Sequence, residues 1–224
     1  RDVREHRRAQ GDATERELPA AFNDVAAATY LVKQADGFGS GFGISPDGLL
    51  LTAAHVVSGS TVELMKRGET TPLTGIVVRI SRQHDVALIA VAGATGTEQP
   101  CLELQLTPPA PGDDIYAIGS PASQELAFSL TRGIVSGLRL QEGVQLLQTD
   151  ASLSPGNSGG PLLEHHARVV GIVSRKLAGQ AMEGLGFGIQ IQDALQALKI
   201  SPDFKTDPSL LLPSATPVLA RKPS

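Results

Sequence analysis

The chemistry in this sequence centres on a serine set between glycines, in Asp150-Ala151-Ser152-Leu153-Ser154-Pro155-Gly156-Asn157-Ser158-Gly159-Gly160-Pro161-Leu162. Glycine admits positive φ and close backbone approach. A turn of this composition therefore exposes the Ser158 hydroxyl and lets consecutive backbone N–H groups converge on one point. A nucleophilic serine needs both, an accessible Oγ and preorganised donors where negative charge develops. The hydroxyl is a weak nucleophile at neutral pH, so a base and a group to orient it must come from elsewhere in the chain. Two earlier stretches carry them, Leu51-Thr52-Ala53-Ala54-His55-Val56-Val57 and Gln83-His84-Asp85-Val86-Ala87-Leu88. His55, Asp85 and Ser158 are thus the candidate base, orienting carboxylate and nucleophile, in that order along the chain. His84 is a competing imidazole; strand alternation assigns it to the face opposite Asp85, at the surface.

The elements that must hold these residues are short apolar runs between turn signals. Strands are expected at Thr29–Val32, Ser40–Ile44, Leu49–Leu51, Val62–Met65, Ile76–Ile80 and Val86–Val91. The series continues at Leu102–Leu106, Ile115–Ile118, Arg132–Ser136 and Val144–Gln148. Ala20–Ala28 has helical composition, and Asp193–Leu198 reads as a short amphipathic helix closing the domain. Pro108-Pro109-Ala110-Pro111 breaks the series, because proline cannot donate to a central ladder. The pattern predicts an all-β domain of two packed β-barrels, one over about 29–110 and one over about 111–192. Triad members fall in both halves, so the cleft should lie between them.

With 224 residues the chain is long enough for one large β domain, and 41% apolar content suffices for a core. Tryptophan is absent, so the core rests on Val, Ile, Leu and Ala. The net charge is −4, without a basic cluster interleaved with aromatics, and nucleic acid is not an expected partner. Cys101 is the single cysteine, which rules out an intrachain disulfide and reads as a small half-buried residue. No apolar run approaches the ~18 residues of a membrane helix. Residues 1–19 form an arm dense in charge of both signs, 20–200 the domain, and 201–224 a proline-rich flexible tail. The chain begins with Arg1, and a removed targeting segment is expected before it. His165-His166 occupies a hairpin tip between apolar strands, where neighbours point apart; no metal and no cofactor are expected.

The motifs TAAHVV, HDVAL and TDASLSPGNSGGPL together resemble the trypsin-like serine proteases, most closely the bacterial HtrA/DegP-type branch. Gly39-Ser40-Gly41-Phe42, Ala117-Ile118-Gly119-Ser120-Pro121, Gly133-Ile134-Val135-Ser136 and Gly184-Leu185-Gly186-Phe187-Gly188-Ile189 fall in the family's order, over residues 22 to 198. The resemblance implies the trypsin-like fold of two six-stranded β-barrels with a C-terminal helix. It also implies an acyl-enzyme mechanism at His55, Asp85 and Ser158, with an oxyanion hole from the N–H groups of Gly156 and Ser158 flanking Asn157. Ser152, six residues before the nucleophile, is placed at the base of the specificity pocket, with Leu185, Gly186 and Ile189 on its walls. Without a carboxylate there, the pocket suits a small or medium aliphatic residue. Ser174, Arg175 and Lys176 supply a strand edge for an extended substrate backbone, which implies unfolded or flexible polypeptide substrates.

The same resemblance implies a bacterial periplasm or cell envelope, and a homotrimer in which Phe22 and Tyr30 face either a neighbouring subunit or the domain's own core. HtrA-type proteases continue into a PDZ domain at the point where 201–224 begins, and this tail does not supply one. The segment Gly137–Gly143 is shorter than the sensor loop of many such enzymes, and peptide activation is not expected. Two further readings stand beside an endopeptidase in quality control or regulated proteolysis. One is a catalytically silent peptide-binding module; the other is a chaperone-like scaffold.

Overall fold

Each half of the chain closes on itself. In this computed structural model, residues 17–18, 20–35, 37–94, 97–120, 128–154, 156–174 and 185–201 are described. The first half contains β1 (Thr29–Gln34), β2 (Gly37–Gly43), β3 (Leu49–Ala53), β4 (Thr61–Lys66), β5 (Leu73–Ser81) and β6 (Val86–Val91). They pair antiparallel into a closed barrel in the order β1-β2-β3-β6-β5-β4. The second half contains β7 (Asp114–Gly119), β8 (Ser129–Gln141), β9 (Val144–Thr149), β10 (Pro161–Leu163), β11 (Val169–Val173) and β12 (Gly186–Gln190). It closes in the order β10-β11-β12-β9-β8-β7. Closure leaves no free sheet edge, so strands as short as the three residues of β10 are held on both sides.

Among the described residues, three apolar clusters fill the interior. Tyr30, Val32, Leu50, Leu64 and Ile89 pack inside the first barrel, and Ile115, Ala117, Leu147, Leu162 and Val173 inside the second. The third joins the two: Phe42, Ile44 and Leu51 from the first barrel meet Tyr116, Ile118, Leu146 and Ile189 from the second. Tyr30 is fully buried inside its barrel, so it packs on the domain's own core and is no interface residue. Phe22 is half-buried on that core, with the Arg67 guanidinium 5.2 Å from its ring centre.

The expected strand Leu102–Leu106 is not one. Its backbone links the barrels: Leu102 N–H donates to Gly43 at 2.9 Å, and Gln105 N–H to Val169 at 2.8 Å. A single parallel bridge joins Leu104 to Val169. The alternation of Leu102, Leu104 and Leu106 comes from burial between two barrels, which gives the same period as a ladder. The run Gly137–Gln141 is the end of β8, and Glu142-Gly143 turns it directly into β9 with both residues at positive φ.

Among the described residues the α-helical segments are α1 (Phe22–Ala27) and α2 (Ile191–Ala197). In α2, Ile191, Ala194 and Leu195 recur at helical spacing and face the shared core, continued by Leu198. Arg79 of β5 donates to the carbonyls of Leu198 and Lys199 at 3.0 and 2.8 Å, a cation at a helix C-terminus, and ties α2 to the first barrel. Among the described residues no helix is long and apolar enough to cross a membrane.

Candidate active site

His55 sits on a single 3-10 turn, Ala54–Val56, that follows β3 directly. Asp85 ends the turn before β6 at φ 52°, a left-handed conformation that a short polar side chain tolerates. The turns that carry them are joined three times. Ala54 N–H donates to the Asp85 carbonyl at 3.0 Å, His55 N–H donates to Asp85 Oδ1 at 2.9 Å, and the ring Nδ1 lies 2.7 Å from Oδ2. The carboxylate is 1% exposed, whereas the imidazole is 30% exposed, so the ring pairs inward and keeps an outer edge open.

Burial pushes the Asp85 carboxyl up. Hydrogen bonds from the His55 ring and the Ser174 hydroxyl, with the His55 charge and backbone N–H, outweigh it and hold the group below its ordinary value. Ser174 Oγ lies 2.5 Å from Asp85 Oδ2. The Ser174 side chain is buried and turned inward to this carboxylate, while the expected pairing edge is a property of its backbone. Arg175 and Lys176, with most of the charged arm and the tail beyond 201, lie outside the described residues.

The Ser158 turn belongs to the second barrel and packs against the first. Gly159 N–H donates to Val173 at 2.8 Å and Gly160 N–H to Asn157 at 2.8 Å, which sews the turn to β11. Gly159 has φ +82°, and a Cβ there would lie 2.2 Å from the Ser40 carbonyl and 2.3 Å from Thr52 Oγ1. Only glycine fits both the torsion and the gap. Gly39 is equally constrained: a Cβ would fall 2.6 Å from Val56 and 2.8 Å from the Ser158 carbonyl. The nucleophile turn and the turn bearing His55 thus meet across one glycine. Asn157 N–H donates to Ser154 at 3.1 Å, closing a four-residue turn whose third member, Gly156, has φ +102°.

Other expected residues separate. Ser152 is exposed and not at a buried pocket base. The side chain beside Gly186 is Leu153, whose Cδ1 would lie 2.5 Å from a Cβ placed there. Sequence reasoning missed Leu153; its place next to Ser152 in an otherwise polar turn was the available signal. Leu185 is half-buried against the shared core. Ile189 is fully buried, on the face of β12 opposite Gly186 and Gly188, so it shares no wall with Gly186. His84 lies in the turn before β6 and not in a strand; its ring meets Ser81 Oγ at 3.2 Å and Asp193 of α2 at 3.8 Å.

Glu164, His165 and His166 also depart from expectation. They occupy the turn between β10 and β11, so alternation does not apply, and their ligand-type atoms lie within 4.8 Å of one another. Glu164 Oε1 already accepts Arg168 Nε at 3.0 Å and the N–H groups of His166 and Arg168. That guanidinium answers the charge an ion would need. A cavity of about 780 Å³ beside this turn, lined by Tyr116, Arg132, Glu164 and His165, contains no triad residue. Its Arg132 is paired with Asp114 at 2.8 Å.

Residues 39–172 match the trypsin-like peptidase domain family. The chain is 38% identical over 167 residues to a putative serine protease HhoB of Synechocystis sp., covering 70% of this chain and 38% of that protein. It is 35% identical over 183 residues to a probable periplasmic serine endoprotease DegP-like of Ectopseudomonas mendocina, covering 78% of this chain and 36% of that protein. The solved structure of the HtrA-type protease AlgW with tripeptide superposes with a TM-score of 0.67 at 27% identity, over 79% of this chain and 60% of that one. The chain therefore spans little more than a third of the length of these curated relatives.

Proposed function

Given that this chain belongs to the trypsin-like peptidase family, we propose that it is a serine endopeptidase working through Ser158, His55 and Asp85. The observation that carries this reading is the buried Asp85 carboxylate 2.7 Å from His55 Nδ1, on a turn that packs against the Ser158 loop. With Nδ1–H committed to Asp85, Nε2 is the free basic nitrogen. It takes the Ser158 proton as Oγ adds to the scissile carbonyl, and gives it to the leaving amine as the tetrahedral adduct collapses to an acyl-enzyme. Water then repeats the cycle and releases the acid. Asp85 holds the tautomer and stabilises the imidazolium without itself being protonated.

The developing oxyanion is received by the N–H groups of Gly156 and Ser158. The positive φ of Gly156, 102°, which glycine admits, lets the chain turn tightly here and supports this reading. Loss of one such donor typically costs about 3 kcal/mol. The closeness of Leu153 to Gly186 supports a shallow pocket, one that suits a small or medium aliphatic residue before the cleaved bond. Unfolded or flexible polypeptides are the substrates of this reading, in protein quality control or regulated proteolysis. The periplasmic description of the DegP-like relative supports a bacterial envelope as the site of this activity. Assembly as a homotrimer belongs to the same proposal, with light scattering as its check.

The test is digestion of reduced casein by the chain and by its Ser158→Ala variant, with cleavage sites read by mass spectrometry. Cleavage by the parent alone, after Val, Ala or Leu, is expected. Cleavage after Arg or Lys would overturn the pocket. No cleavage and no fluorophosphonate labelling of Ser158 would leave a peptide-binding module in protease form.

A further inference from the structure

Between Gly39 and Gly41, Ser40 is fully buried and every polar group it carries is bonded at the seam between the barrels. Its carbonyl accepts Thr52 Oγ1 at 2.6 Å, three residues before His55, which anchors it in the first barrel. Its other contacts cross to the second barrel. Ser40 N–H donates to the Ser158 carbonyl at 2.8 Å. The hydroxyl donates to the Gly156 carbonyl at 2.6 Å and accepts the Ser120 N–H at 2.8 Å. A hydroxyl has one proton to give, and here it is committed to Gly156.

We infer that Ser40 is a positioning residue for the oxyanion hole, its hydroxyl fixing the Gly156–Asn157 peptide in the productive turn; this rests on the reading of Ser158 as nucleophile. That peptide is held at both ends, its N–H by the Ser154 carbonyl at 3.1 Å and its C=O by Ser40. With the plane pinned, the Cα that carries the Gly156 amide is fixed in position. Alanine at position 40 leaves a buried carbonyl and the buried Ser120 N–H without this partner, which removes the restraint. The residue does not touch the reacting atoms, so its loss degrades the aim of a donor and spares the imidazole.

The experiment compares Ser40→Ala and Ser40→Cys, the second keeping volume with a weak donor, against the parent on a short peptide amide. Four readouts are taken: kcat, KM, the pH profile of kcat/KM, and affinity for a peptide trifluoromethyl ketone, which forms an oxyanion adduct on serine. Expected is a fall in kcat on the order of 10- to 100-fold, below the loss from deleting a donor outright. KM and the acid limb of the profile stay in place, and affinity for the ketone falls with kcat. A kcat within threefold of the parent, or a rise in KM carrying the whole effect, overturns the clamp. If the parent itself shows no Ser158-dependent hydrolysis, the enzyme reading fails separately. Amide hydrogen exchange then judges the clamp: faster exchange at Ser120 and Asn157 in the variants supports it, and unchanged exchange overturns it.

Discussion

The Ser174 hydroxyl donates to Asp85 Oδ2 at 2.5 Å, and the same oxygen faces His55 Nδ1 at 2.7 Å. One carboxylate oxygen therefore serves two partners from different barrels, and the other takes the His55 backbone N–H. A buried carboxylate that accepts this many donors stays ionised and stays still.

Removing one partner should be felt both in stability and in rate. Ser174→Ala is expected to cost about 1.5–3 kcal/mol, the range for hydrogen bonds to charged groups, and about tenfold in kcat. Urea denaturation and steady-state kinetics on the same preparation check both. A variant as stable and as fast as the parent would remove Ser174 from the network.

The acid side of the stability curve follows from two carboxyl groups held below their ordinary values. For Asp85 and Glu164 burial acts upward and is outweighed by hydrogen bonds, those of Glu164 coming from Arg168 and from the N–H groups of His166 and Arg168. Their folded pKa lies below the unfolded one, so the unfolded chain binds more protons in acid. The stabilisation is complete above the ordinary values of 3.8 and 4.5, and is lost as pH falls below them through the folded values. Denaturant midpoints should drop from about pH 5 downward, in the usual carboxylate range. Glu164→Gln should flatten part of that drop while leaving casein cleavage at neutral pH unchanged.

Specificity should move with Leu153. Its side chain lies beside Gly186, so in the proposed site Leu153→Ala deepens the pocket. The preference before the cleaved bond should shift toward Met or Phe by about tenfold relative to Val, within the range that methylene-sized changes produce. A peptide library profiled by mass spectrometry reads this directly. An unchanged profile would place the pocket elsewhere.

Gly159 offers a test of the fold that needs no substrate. Alanine there meets both a left-handed φ of +82° and atoms 2.2 to 2.8 Å away on Ser40, Thr52 and Ala53. Gly159→Ala should lose at least about 3 kcal/mol, the range of strained and overpacked sites, seen as a lowered Tm. Gly68→Ala, with φ +77° but open space, should lose only about 1 kcal/mol.

The sequence by itself determined the local elements and the residue types of the site. Val86–Val91 is the same strand in both readings, because an apolar run between a polar turn and a glycine has few other solutions. His55, Asp85 and Ser158 stand out because each lies where a turn meets an apolar run, a local property. What only the tertiary structure decided is who meets whom across long stretches of chain. Ser174 reaches Asp85 across 89 residues and Ser40 reaches Gly156 across 116, contacts created by barrel closure and by the packing of one barrel on the other. Leu102–Leu106 and Ile189 went astray for the same reason. Alternation reports which side chains are buried but not against what, and the answer depends on registers set by distant strands.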